Sequence, residues 1–148
     1  MRILIIQKDP RCSEAIAETL VGEVPSLEKE QVDIIRFEKT ASALQISDFI
    51  FLNREAIELV ILDAHLQLSA DGPYVTYGGL TVYRQIVERG LHQIRVLLTF
   101  FELTDANLNL EHSDFLSPEW LKFNPRIQLP VSVGELIKVV QKILEGGV

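Results

Sequence analysis

The stretch ELVILD, residues 58–63, sets four consecutive apolar side chains, Leu59 to Leu62, between two carboxylates. A short apolar run without alternation is the pattern of a strand covered on both faces, as in a parallel sheet flanked by helices. The run stops at Asp63. That is the carboxyl end, where open α/β sheets hold their sites.

Four further segments read as strands: RILII (residues 2–6), VDIIRF (32–37), IRVLLT (94–99) and RIQL (126–129). Helical signals alternate with them. Asp9-Pro10 offers an N-cap and a proline at the first helical position, predicting a helix through Ser13 to Val21 with Ile16 and Leu20 facing inward. GEVPSLEKEQ (22–31) is polar, holds Pro25 and reads as a connection. A second helix over 41–54 carries Leu44, Ile46, Phe49, Ile50 and Phe51 as a wide apolar stripe, and a third over 80–89 is closed by Gly90. In PVSVGELIKVVQKILEGG (130–147), Ser132 and Glu135 form a capping box. Val133, Leu136, Ile137 and Val140 follow at helical spacing, and Gly146-Gly147 stops the helix. Strands alternating with helices define an α/β fold with a parallel sheet, one domain over 1–148, with no internal repeat.

Composition excludes several classes. The net charge of −7 over 148 residues argues against a nucleic-acid partner, because that affinity rests on cations meeting phosphates. No apolar run approaches the roughly 18 residues of a bilayer span, and the amino terminus lacks the zones of a signal peptide. Cys12 is the one cysteine, so no intramolecular disulfide forms and a reducing, cytoplasmic setting is expected, with Cys12 packed as a small hydrophobe. His65, His92 and His112 lack ligand spacing, and no metal site or catalytic triad is expected.

Right-handed crossovers bring the ends of the first, third and fourth strands together. The carboxyl edge should therefore gather Gln7, Lys8, Asp9, Asp63, Thr99 and the Leu129-Pro130 turn. An aspartate after a buried strand, a threonine after the next and a proline opening the last helix resemble the receiver domain of bacterial response regulators, the CheY-like superfamily. The segments ILIIQKDP, ELVILDAHL, IRVLLT and RIQLPVSVGELIKVV carry that resemblance, in order, over nearly the whole chain. It implies a flavodoxin-like, doubly wound sheet of strand order 2-1-3-4-5. It also implies that Asp63 stands at the phospho-acceptor position and Thr99 at the position that senses the phosphoryl group.

The departures from that pattern fall on the chemistry. The family's acidic pair falls on Gln7 and Lys8, its lysine before the proline falls on Leu129, and its switch aromatic falls on Arg126. Phosphoryl transfer to an aspartate uses Mg²⁺, which takes oxygen ligands including one or two carboxylates. Gln7, Lys8 and Asp63 instead sum to no net charge. The expectation is a stand-alone degenerate receiver, a pseudo-receiver without enzymatic activity or cofactor, in which Lys8 serves Asp63 as a counterion. Such a protein signals by phosphorylation-independent contact with another signalling protein or a second copy, since no output domain follows the final helix.

Two other readings stay open. Asp9 reads as a helix cap, yet as an auxiliary acid with Asp63 it would bind Mg²⁺ in an atypical phospho-accepting receiver. Alternatively, a small flavodoxin-like enzyme or ligand-binding domain would use the loops over the carboxyl edge. Those loops, 64–79 and 100–124, are longer than receivers usually carry, and hold Tyr74, Tyr77, Phe100, Phe101, Phe115, Trp120 and Phe123. These aromatics either pack over the edge or form a partner surface. The simpler readings are that Asp63 caps a turn, Thr99 is an ordinary β-former, and Gly78-Gly79 makes a turn rather than an anion nest.

Overall fold

The computed structural model describes residues 3–36, 41–66, 78–100, 124–128 and 132–145. In chain order these form β1 (Ile3–Ile6), α1 (Pro10–Glu23), a 3₁₀ turn (Lys29–Gln31), β2 (Val32–Ile34), α2 (Ala43–Leu52) and β3 (Leu59–Asp63). They continue with α3 (Gly78–Glu88), β4 (Arg95–Phe100), β5 (Arg126–Gln128) and α4 (Val133–Leu144). The five strands make one parallel sheet in the order β2-β1-β3-β4-β5, as expected.

Alternate strand residues face opposite sides of a sheet, so each strand feeds two apolar layers. Leu4, Ile6, Val60, Leu62, Val96 and Leu98 pack on one side against Ile46 and Ile50 of α2 and Leu80, Tyr83 and Ile86 of α3. Ile3, Ile5, Leu59, Ile61 and Leu97 pack on the other side against Ile16 and Leu20 of α1 and Leu136, Val140 and Ile143 of α4. The continuous apolar runs of β1 and β3 are thereby explained: both faces of both strands are buried.

Several boundaries differ from the sequence expectation. Helix α1 has the expected start, with Asp9 as N-cap and Pro10 as its first residue, and the Asp9 carboxylate accepts the Arg11 N–H to close the first turn; its far end runs on to Glu23 rather than stopping at Val21. Strand β2 ends at Ile34 instead of running to residue 37. Its partner β1 is four residues long, and the ladder finishes where the Ile35 N–H donates to the Ile5 carbonyl at 3.0 Å.

Helix α2 spans 43–52 rather than 41–54, set by Ser42, whose side chain and that of Gln45 complete a capping box. Its inward stripe is narrower than expected: Ile46 and Ile50 are buried while Leu44 is exposed. At α4 the Ser132 hydroxyl accepts the Glu135 N–H at 3.2 Å, which is the Ser132 half of the expected capping box. Gly146-Gly147 lie outside the described residues.

Candidate functional site at the carboxyl edge of the sheet

The ends of β1, β3 and β4 meet at this edge. Strand pairing sets Asp63 opposite Thr99, and the Ala64 N–H donates to the Thr99 carbonyl at 2.9 Å. Thr99 is fully buried. Gln7, the first residue beyond β1, is buried and inserts its amide between the strands. Its Oε1 accepts from the Thr99 hydroxyl at 3.1 Å and from the Cys12 thiol at 3.7 Å. Its Nε2 donates to the carbonyls of Ile6 at 3.2 Å and Ile61 at 3.5 Å.

Asp63 is half-buried, and each of its carboxylate oxygens accepts a backbone N–H: Oδ2 from Lys8 at 2.9 Å, Oδ1 from His65 at 2.8 Å. Lys8 thus reaches Asp63 differently from the expectation. Its main-chain N–H makes the contact, while its side chain is exposed and no ion pair within 4 Å joins the ammonium to the carboxylate. An exposed lysine keeps its hydration, and a main-chain donor already fixed by the end of β1 makes the bond without ordering a long side chain.

Gly78 and Gly79 were expected in the loop before the helix; they are the first two residues of α3. A Cβ on Gly79 would stand 1.9 Å from the Asp63 carbonyl oxygen and 2.7 Å from Ala64 Cα, so only glycine allows the helix to approach the end of β3 this closely. The contact is stitched by hydrogen bonds from the Gly78 N–H to the Leu66 carbonyl at 2.9 Å and from the Gly79 N–H to the Ala64 carbonyl at 3.3 Å. Those first-turn N–H groups therefore serve the Asp63 loop, and an anion nest on them is ruled out. Sequence reading missed Gly79 as a site residue. Its one signal was a glycine pair at the start of an apolar helical pattern, which a turn explains equally well.

Cys12 also joins the site, where the sequence offered only a packed thiol. Burial first, then the charges of Asp63 and Asp9, push its pKa above the usual thiol value. Asp9 is exposed and turned to its cap, with Arg11 also at 3.7 Å from Oδ1. Arg126 lies on β5 paired with Leu98, one position before Thr99, and is exposed. Leu129, Pro130, and the aromatics Tyr74, Tyr77, Phe101, Phe115, Trp120 and Phe123 fall outside the described residues, as does the side chain of Phe100.

Among the described residues the donor set at this edge does not fit Mg²⁺. The amide oxygen of Gln7 is already an acceptor for Thr99 and Cys12, Lys8 brings a cation, Asp9 caps α1, and Asp63 is left as the one carboxylate of the edge among the described residues. Those residues hold no cluster of three His, Cys, Asp or Glu able to hold a metal.

No protein-family model matches the chain, and no curated protein matches it. Solved structures do. A signal receiver domain described as that of a Luxo repressor protein from Vibrio parahaemolyticus superposes with a TM-score of 0.63 at 16% identity, covering 98% of this chain and 90% of that one. NtrX from Brucella abortus gives 0.61 at 18% identity, with 98% of this chain matched to 27% of NtrX. A response regulator receiver modulated diguanylate cyclase from Pelobacter carbinolicus gives 0.57 at 19% identity, over 98% and 92% of the two chains. At these identities the likeness is one of fold. The chain has the flavodoxin-like fold of response regulator receiver domains.

Proposed function

We propose that this chain is a degenerate receiver, a cytoplasmic pseudo-receiver that passes a signal by contact with another signalling protein or a second copy, independently of aspartyl phosphorylation. The observation that carries the reading is what β1 delivers to Asp63. It delivers a neutral amide turned into the sheet and a main-chain N–H, where a phospho-accepting receiver needs carboxylates for a divalent ion. Both Asp63 oxygens already accept hydrogen bonds, which supports a structural role for this carboxylate. Asp9, the auxiliary acid of the competing reading, is engaged at the start of α1. No helix among the described residues is long and apolar enough to cross a membrane. The reading assigns the chain no reaction of its own.

The test is intact mass after incubation with acetyl phosphate and Mg²⁺, with Asp63→Asn as control. Unchanged mass in both proteins is the expected result. A gain of one phosphoryl group in the wild type alone would overturn the reading and return Asp63 to the role of phospho-acceptor.

A further inference from the structure

We propose that Gln7 is a positioning residue that pins the Thr99 hydroxyl to the end of β1 and so holds the carboxyl edge of the sheet in one arrangement. This deepens the pseudo-receiver reading and rests on it: a receiver that no phosphoryl group switches still needs something to define its state.

A primary amide has donors at one end and an acceptor at the other. At Gln7 both ends are used inside the sheet. The NH₂ group meets two backbone carbonyls, Ile6 on β1 and Ile61 on β3, while the oxygen meets two groups that can only usefully donate to it, the Thr99 hydroxyl and the Cys12 thiol. One side chain therefore links β1, β3, β4 and α1. The partners select an amide and reject a carboxylate, because a glutamate in the same pose would aim lone pairs at the carbonyls of Ile6 and Ile61.

Burial makes the link consequential. Thr99 is 0% exposed and Gln7 8% exposed, so water does not readily replace the hydroxyl's partner if it rotates away. The rotation is therefore opposed unless a new acceptor arrives. Asp63, directly opposite Thr99 in the sheet, takes a main-chain donor on each oxygen, and the acceptor that the Thr99 hydroxyl meets is the Gln7 amide oxygen. Gln7 thereby selects the Thr99 rotamer.

The experiment is solution NMR of the Thr99 side chain, reading χ1 from the three-bond couplings of its methyl carbon to the backbone nitrogen and carbonyl carbon. The wild type should show the extreme couplings of one staggered rotamer. Gln7→Met, which keeps the length and loses every polar partner, and Gln7→Glu, which keeps the acceptor and loses the donors, should both move the couplings towards averaged values. Averaged couplings in the wild type would overturn the proposal whether or not the variants fold. Unchanged couplings in folded Gln7→Met would overturn it too, since packing alone would then hold Thr99. Failure of the pseudo-receiver reading is separately visible as the mass gain on Asp63.

Discussion

Gly79 lies so close under Asp63 that a single methyl group on it would overlap the Asp63 carbonyl oxygen, at 1.9 Å. The atoms in the way are backbone at the end of β3, which cannot swing aside as a long side chain would. Gly79→Ala should destabilise the fold by about 2 kcal/mol or more through overpacking, as read by urea denaturation. A helical glycine of α1 is the control: a Cβ on Gly22 meets nothing within 4 Å, so Gly22→Ala should stabilise by up to about 1 kcal/mol. Equal effects of the two substitutions would contradict the close approach.

Asp9 separates a cap from a metal ligand. Because its carboxylate accepts the Arg11 N–H at 2.9 Å, Asp9→Ala should lower stability by about 1 kcal/mol while Asp9→Asn, still an able cap, stays within about 0.5 kcal/mol of wild type. Mg²⁺ should leave the denaturation midpoints of all three proteins unchanged. A midpoint that rises with Mg²⁺ in wild type and not in Asp9→Asn would instead make Asp9 a ligand.

The Cys12 thiol reports on the charge of the site. Burial raises its pKa, and the carboxylates of Asp63 and Asp9 raise it further, so less of it is thiolate at mildly alkaline pH. Alkylation by iodoacetamide at pH 8 should run several-fold slower in the native protein than in the unfolded chain. Asp63→Asn should speed the native reaction by removing one of the opposing charges. A native rate equal to the unfolded one would show that the thiol is neither shielded nor electrostatically suppressed.

Tyr83 gives the fold a pH dependence at the alkaline end. Burial pushes its phenol up to about 12 from 10.0, with the positive charge of Arg126 acting the other way. The folded state therefore holds the proton more tightly than the unfolded chain. The sign follows: this contribution to stability is complete below pH 10, declines as pH rises above it, and is lost through about pH 12. Tyr83→Phe should fall less steeply in urea midpoint over that window than wild type, and parallel curves would refute the shift.

Asn124 stands in for a missing strand residue. The β4–β5 ladder begins at Leu98 and Arg126, so Val96 lies before it, and the buried Asn124 side chain accepts the Val96 N–H at 2.6 Å. Asn124→Ala should cost about 1–3 kcal/mol, because it leaves that donor without its acceptor in a buried setting. Native-state hydrogen exchange at Val96 should accelerate in the variant. An unchanged rate would mean that the amide is protected by other means.

Local signals carried much of this architecture. Asp9-Pro10, Ser132 and the apolar runs of β1 and β3 were readable because a cap or a doubly buried strand is specified by a few adjacent residues. Element ends were less readable. VDIIRF has the pattern of a six-residue strand, yet β2 stops after three, because a strand's length is decided by the partner it pairs with. The GG pair shows the same limit: a glycine needed for a close approach looks, in sequence, like one needed for a turn.

By itself, then, the sequence determined that this is an α/β chain with a parallel sheet, and that Gln7, Lys8, Asp63 and Thr99 would share its carboxyl edge. Periodicity and crossover handedness suffice for that. Only the tertiary structure decided how those residues meet: the Lys8 main chain rather than its ammonium holds Asp63, the Gln7 amide holds Thr99, and Gly79 lets α3 approach Asp63. The physical reason is that hydrogen bonds across 55 or 92 residues of chain depend on distances of a few tenths of an ångström. Such distances are set by packing between elements, not by the order of residues within any one of them.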